Sequence, residues 1–193
     1  MNFVLNSPGQ IEFQKINRIA AIYNMIPNLV WTALFLIPIA IFCYAFMTPK
    51  TTYILLGFSL IPIFLPNSFF DRIQLSRSSH FYRKIGVKYV NIFAQNGSLL
   101  NKFLKRKYPN FKVISKSKTS VKKQYYQTYF FERFHFSLFI FFTITTIYAG
   151  IQGHFYWVWT LTISNLLYNV YPNLLQQYVR VKLKSAVTDN KRS

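Results

Sequence analysis

Residues 134–179 read FHFSLFIFFTITTIYAGIQGHFYWVWTLTISNLLYNVYPNLLQQYV, 46 positions without Asp, Glu, Lys or Arg in a chain of formal charge +19. An uncharged stretch of that length inside a strongly basic chain points to lipid as the surrounding solvent. About 20 apolar residues cross a bilayer as one helix, so the stretch holds two crossings, and Gly150-Ile151-Gln152-Gly153-His154 supplies the turn between them. The front of the chain repeats the pattern. Between Arg18 and Lys50 lie 31 uncharged residues, and between Lys50 and Asp71 another 20. A charge at a helix centre costs about 2.5–3.5 kcal/mol on insertion scales, which accounts for its exclusion from all three stretches.

The pattern predicts an all-α, polytopic integral membrane protein with four transmembrane helices in two hairpins. The expected helices run near Ile26–Met47, Thr51–Phe70, Phe134–Gly150 and Phe155–Leu175. The chain then divides into a first hairpin (1–70), a basic amphipathic segment (71–131), a second hairpin (132–179) and a basic tail (180–193). A soluble fold is disfavoured, because 193 residues offer too little surface to cover so much uncharged sequence.

Cations set the expected orientation. Fourteen Lys and Arg lie between Arg72 and Lys123 and five from Arg180 onward, whereas the Gly150–His154 turn has none. Positive charge stays on the cytoplasmic side, so both termini and the central segment are expected in the cytoplasm of a bacterium, with the two turns outside its inner membrane. The first 25 residues lack a compact apolar core followed by a small-residue cleavage site, so helix one reads as a retained span. The single cysteine, Cys43, excludes an internal disulfide. His80, His135 and His154 have no metal-ligand spacing, and no cofactor is implied.

Within the central segment, Phe81, Ile85, Tyr89 and Ile92 recur at helical spacing with Arg83, Lys84 and Lys88 between them. This predicts an amphipathic helix in the headgroup layer, ended by Asn96-Gly97. A shorter apolar pair of doublets, Leu99-Leu100 and Phe103-Leu104, leads into Lys105-Arg106-Lys107, and Ser115–Lys123 reads as a mobile polar loop. Anionic lipid is the expected partner of these cations. No nucleic-acid recognition motif accompanies them.

Four of the eight prolines precede Asn: Pro27-Asn28, Pro66-Asn67, Pro109-Asn110 and Pro172-Asn173. Proline within a span frees carbonyls that protein or water must satisfy. Clustered Asn side chains would build a polar pocket there; helix-end punctuation in an Asn-rich chain explains the same pattern. Glu132 and His135 stand at i, i+3 and share a helical face. A carboxylate beside an imidazole suits general-base chemistry. Pairing of Glu132 with Arg133 or a loop lysine, with His135 capping the interface, reads the same spacing structurally.

Three segments then resemble the glycosyl-4,4'-diaponeurosporenoate acyltransferase family of small integral membrane proteins. They are Val87-Lys88-Tyr89-Val90 followed by Asn96-Gly97, Glu132-Arg133-Phe134-His135, and Asn169 with Gln176-Gln177-Tyr178-Val179-Arg180-Val181-Lys182. Asn96 stands where the family has an acidic residue, and Gln177 and Lys182 where it has arginines. The resemblance implies transfer of a fatty acyl group, from a donor such as an acyl thioester, to a hydroxyl of a lipid or glycolipid at the cytoplasmic leaflet. A carotenoid-glycoside-type acceptor falls within that class. It implies His135 as the base and Glu132 as the group that holds it. Arg180, Lys182 and Gln177 would bind donor phosphates or the acceptor headgroup, with Tyr178, Asn169 and Asn96 lining the site. The competing class is a non-catalytic membrane protein, an anionic-lipid-binding scaffold or a complex subunit.

Overall fold

The computed structural model describes residues 8–87, 89, 102, 106 and 118–188, and among them it is all-helical with no strand. Helix α1 spans Pro8–Phe46 and α2 Pro49–Ser59, followed by a 3-10 turn at Ile61–Phe64 and the short helices α3, Asn67–Arg72, and α4, Ser79–Lys84. Helix α5 runs 34 residues from Lys118 to Ile151. Helix α6 (Phe155–Asn165), a π segment (Leu166–Val170) and α7 (Tyr171–Thr188) form one continuous helical column that returns along it.

The second hairpin turns where the sequence places it. His154 N–H bonds the Ala149 carbonyl at 2.9 Å and Gly153 N–H the Gly150 carbonyl at 3.1 Å. Those two bonds with Gly153 at φ +77° make a Schellman-type stop, which satisfies carbonyls the helix end would otherwise orphan. At the other connection, Thr48 Oγ1 accepts from Thr51 N–H, and Pro49, whose missing donor costs nothing there, opens α2.

Helix two is shorter than its uncharged stretch. Pro66 biases the preceding residue away from helix, and Leu65 is extended at φ −70°, ψ 142°. The helical run therefore ends at Phe64 rather than Phe70. Pro49–Phe64 reaches about 24 Å at 1.5 Å per residue, against a hydrocarbon core of about 30 Å. Helix three is longer than expected. Lys118–Lys123, expected as a mobile loop, forms the first turns of α5. The amphipathic helix expected over Phe81–Phe93 is interrupted: α4 ends at Lys84, Gly86 turns left-handed at φ +86°, and Val87 and Tyr89 are helical again beyond it. Asn96-Gly97, Leu99–Leu104 apart from Lys102, and Pro109-Asn110 lie outside the described residues.

Among the described residues two helices are long and apolar enough to cross a membrane, over Leu29–Phe46 and Val121–Ile151. Only 17 % and 28 % of those windows is buried in the protein, whereas the core helix of a soluble domain would be mostly buried. Between them, near the Gly150–His154 end, Ile39, Phe42, Cys43 and Met47 pack with Phe141, Phe142, Ala149 and Leu161. At the opposite end a second cluster joins Tyr82 and Val87 to Leu175 and Tyr178. It fastens α4 and its elbow to α7.

Candidate active site

Helices α5 and α7 enclose a buried polar core at that second end. Glu132 and Arg180 are each 1 % exposed. An Arg180 Nη1 hydrogen donates to Glu132 Oε2, and Gln177 Nε2 donates to Glu132 Oε1 at 2.8 Å. Two charges in a low-dielectric interior are tolerable only when paired and hydrogen-bonded, and both carboxylate oxygens are so engaged.

The same residues hold the connector after α3. Arg180 donates through Nε to Gln74 Oε1 at 3.1 Å and through Nη2 to the Phe70 carbonyl at 3.3 Å; its guanidinium lies 4.4 Å over the Tyr129 ring. Asp71 Oδ1 sits 3.7 Å from Arg180 Nε and accepts from the Tyr129 hydroxyl at 2.8 Å. Gln177 Oε1 takes Leu75 N–H at 3.2 Å and the Tyr82 hydroxyl at 3.0 Å. Burial raises the Tyr82 phenol above its ordinary range, so it stays a donor. Arg133 binds the Leu65 carbonyl at 3.0 and 3.1 Å and Asn67 Oδ1 at 2.6 Å, capping the carbonyl that Pro66 leaves outside a helix.

His135 lies one turn along α5 from Glu132 but in different company. Its ring stands edge-on to Tyr168 at 5.9 Å, and the Asn169 side chain and Tyr168 backbone lie against it. Pro172 explains why that backbone is available. It has no N–H for the Tyr168 carbonyl and crowds it, and the ladder widens so that Tyr171 N–H reaches the Leu166 carbonyl. A π segment of this kind often marks a functional site. Here it brings Asn165 and Asn169 onto the inner face. Asn169 Nδ2 donates to Asn165 Oδ1 at 2.9 Å, and Asn165 Nδ2 to Thr143 Oγ1 at 3.1 Å and to the Phe139 carbonyl at 3.3 Å. His135 Nδ1, Asn169 Oδ1 and Asn173 Oδ1 are buried without a hydrogen-bond partner.

The expected residues thus divide into two sets. Glu132, Gln177, Tyr178 and Arg180 belong to the buried core, with Tyr178 packed on Tyr82 at 6.3 Å between ring centroids. Glu132 does not hold the His135 ring, because Arg180 and Gln177 occupy its oxygens. Arg180 is an internal strut rather than a surface cation. His135 and Asn169 form the second set. Lys182 is exposed, its Nζ 4.4 Å over the Tyr178 ring, and Asn96 lies outside the described residues. Gln74, Tyr82 and Tyr129 were not expected; an aromatic or amide in a basic loop gives no periodic signal. Among the described residues no three His, Cys, Asp or Glu side chains gather as metal ligands would.

A sequence profile for glycosyl-4,4'-diaponeurosporenoate acyltransferase matches residues 66–189. The chain belongs to that family. The matched region begins at Pro66, where α3 starts, and takes in α5, the π segment and α7, so every residue of both polar sets lies within this acyltransferase region. Helix α1 and almost all of the first hairpin precede it. No curated protein and no solved structure matches the chain.

Proposed function

We propose that the protein is a membrane acyltransferase that moves a fatty acyl group from a thioester donor to a hydroxyl of a lipid or glycolipid. The observation that carries this reading is His135 beside Asn169 at the π segment. An imidazole nitrogen and an amide oxygen there are buried and unpartnered inside an acyltransferase-family region. Buried polar atoms without partners are rare in folded proteins, and a substrate hydroxyl donating to His135 Nδ1 would satisfy the imidazole.

In the proposed reaction His135 Nδ1 takes the hydroxyl proton while the oxygen attacks the thioester carbonyl. The new C–O bond forms as the C–S bond breaks, and the thiolate leaves with the proton that the imidazolium returns. The Tyr168 backbone, against the ring, holds it in place, and Asn169 positions the hydroxyl. Glu132, Arg180 and Gln177 serve by holding α5, α7 and the 70–76 connector in register. The four-span topology with cytoplasmic termini belongs to this proposal: the α6–π–α7 column is continuous through the uncharged residues 155–179, and the short second helix crosses a locally thinned bilayer.

The test is acyl transfer by purified full-length protein. General-base catalysis contributes about 10²–10⁴-fold, so His135→Gln should lose about that factor with membrane insertion and thermal stability unchanged. Asn169→Ala should raise KM more than it lowers kcat. Wild-type turnover by His135→Gln would leave the histidine structural and sink the mechanism.

A further inference from the structure

The break at Gly86 leaves a different surface from the one the helix's periodicity predicts. Instead of one helix floating in the headgroup layer, α4 is tied down. Tyr82 is fully buried against α7, and its hydroxyl binds Ser76 N–H and reaches the Ser76 carbonyl, both at 3.0 Å. Ser78 caps the helix start by accepting His80 N–H at 3.3 Å. With Tyr82 inward, the neighbouring side chains are committed outward: Arg77, Arg83 and Lys84 are exposed, and Phe81 is partly so.

Other elements extend that face. Lys122 and Lys123 on the first turns of α5 and Lys182 on α7 are exposed at the same end. Leu75, 62 % exposed, and Tyr89, 69 % exposed, stand among these cations as apolar anchors. The carboxylates of this region do not neutralise the face. Glu132 is buried on Arg180, and Asp71, whose side chain is 54 % exposed, turns Oδ1 to Tyr129 and Arg180 and is one carboxylate against six exposed cations.

We infer that this end of the protein is a preformed docking face for the anionic headgroups of its own bilayer, with Arg77, Arg83, Lys84 and Lys182 contacting lipid phosphate and Leu75 and Phe81 inserted beside them. Cations alone would serve any polyanion. The interleaved apolar side chains, and a position where the spanning helices emerge, select a lipid surface over nucleic acid. The inference holds whether or not the chain transfers acyl groups. It fixes the depth of the 70–87 segment, through which Arg180 and Gln177 are anchored.

The experiment uses the full chain, with Cys43→Ala and a fluorophore at Leu75→Cys, in nanodiscs of equal phosphatidylglycerol and phosphatidylcholine. Spin label is carried on one lipid class or the other. Labelled phosphatidylglycerol should quench about threefold or more over labelled phosphatidylcholine at low salt, and the ratio should fall toward one at high salt. The same fall should occur in Arg77→Gln/Arg83→Gln/Lys84→Gln at low salt, while Arg83→Lys/Lys84→Arg keeps the preference. Equal quenching by both lipids at every salt concentration in the unsubstituted face would overturn the inference. Selective protection of the fluorophore by polyuridylate, with no preference between lipids, would reassign the face to nucleic acid.

Discussion

At the residue scale, Glu132 and His135 show how spacing reports a shared face without reporting a shared partner. Their i, i+3 relation is real, since both point from α5 toward the returning column, but the π segment and α7 decide which side chain meets each. Gln177 and Arg180 bond Glu132, and Asn169 lies beside His135. A buried ion pair is weak evidence of net stability, because desolvation offsets much of its Coulomb energy, yet breaking it is costly. Arg180→Ala should therefore destabilise by about 3–5 kcal/mol, leaving Glu132 buried and unpaired. The double variant Glu132→Leu/Arg180→Met should recover most of that loss. Thermal unfolding in detergent checks both, and a double variant no more stable than Arg180→Ala would show that the connector contacts, rather than the pair, dominate.

At the element scale, charge absence located the hydrophobic stretches well and their helix boundaries poorly. Charge reports solvent, whereas boundaries depend on backbone chemistry. Pro66 ends the second helix six residues early by its effect on Leu65, and Gly86 breaks the amphipathic helix between Ile85 and Val87 although the apolar spacing runs on through Tyr89 and Ile92. Both signals are in the sequence, and backbone chemistry at Pro66 and Gly86 overrides the side-chain periodicity there. The π segment was not legible, since it arises from Pro172 acting together with packing on α5. Glycine substitutions separate these roles. Gly153, at φ +77°, has nothing within 4 Å of an added Cβ, so Gly153→Ala should cost only its backbone strain, roughly 1–2 kcal/mol. Gly57, inside α2 with equally open space, has no such constraint, and Gly57→Ala should stabilise by about 0.5–1 kcal/mol. The sign difference between two equally uncrowded sites, read by thermal unfolding, tests whether left-handed geometry builds the turn.

At the scale of the whole molecule, the two ends differ in chemistry, and the proposed orientation rests on that asymmetry. The Gly150–His154 end is aromatic and nearly free of charge: Phe46 and His154 approach to 4.3 Å between ring centroids, Trp157 packs on both Phe42 and Phe46, and Tyr156 and Trp159 are exposed. Such rings suit a membrane interface. Lys50 is the single cation of the first turn. The other end gathers Arg72, Arg77, Arg83, Lys84, Lys122 and Lys123 around the polar core. Cations near span ends bias retention in the cytoplasm, and the residues that bind one another across this end, Asp71, Glu132, Gln177 and Arg180, must share a side whatever the number of crossings. A reporter active only after export should therefore be active when inserted at Gln152 and silent at Ser117 and after Ser193. Cysteines introduced at Gln152 and at Arg77, in a Cys43→Ala background, should show the matching split, with Gln152→Cys alone labelled by an impermeant maleimide added to intact cells. Export-positive signal at Ser117 would invert the protein. It would carry His135 and the basic face to the opposite leaflet, where a cytoplasmic thioester donor could not reach them, so one topology result bears on the site, its donor and its lipid partner together.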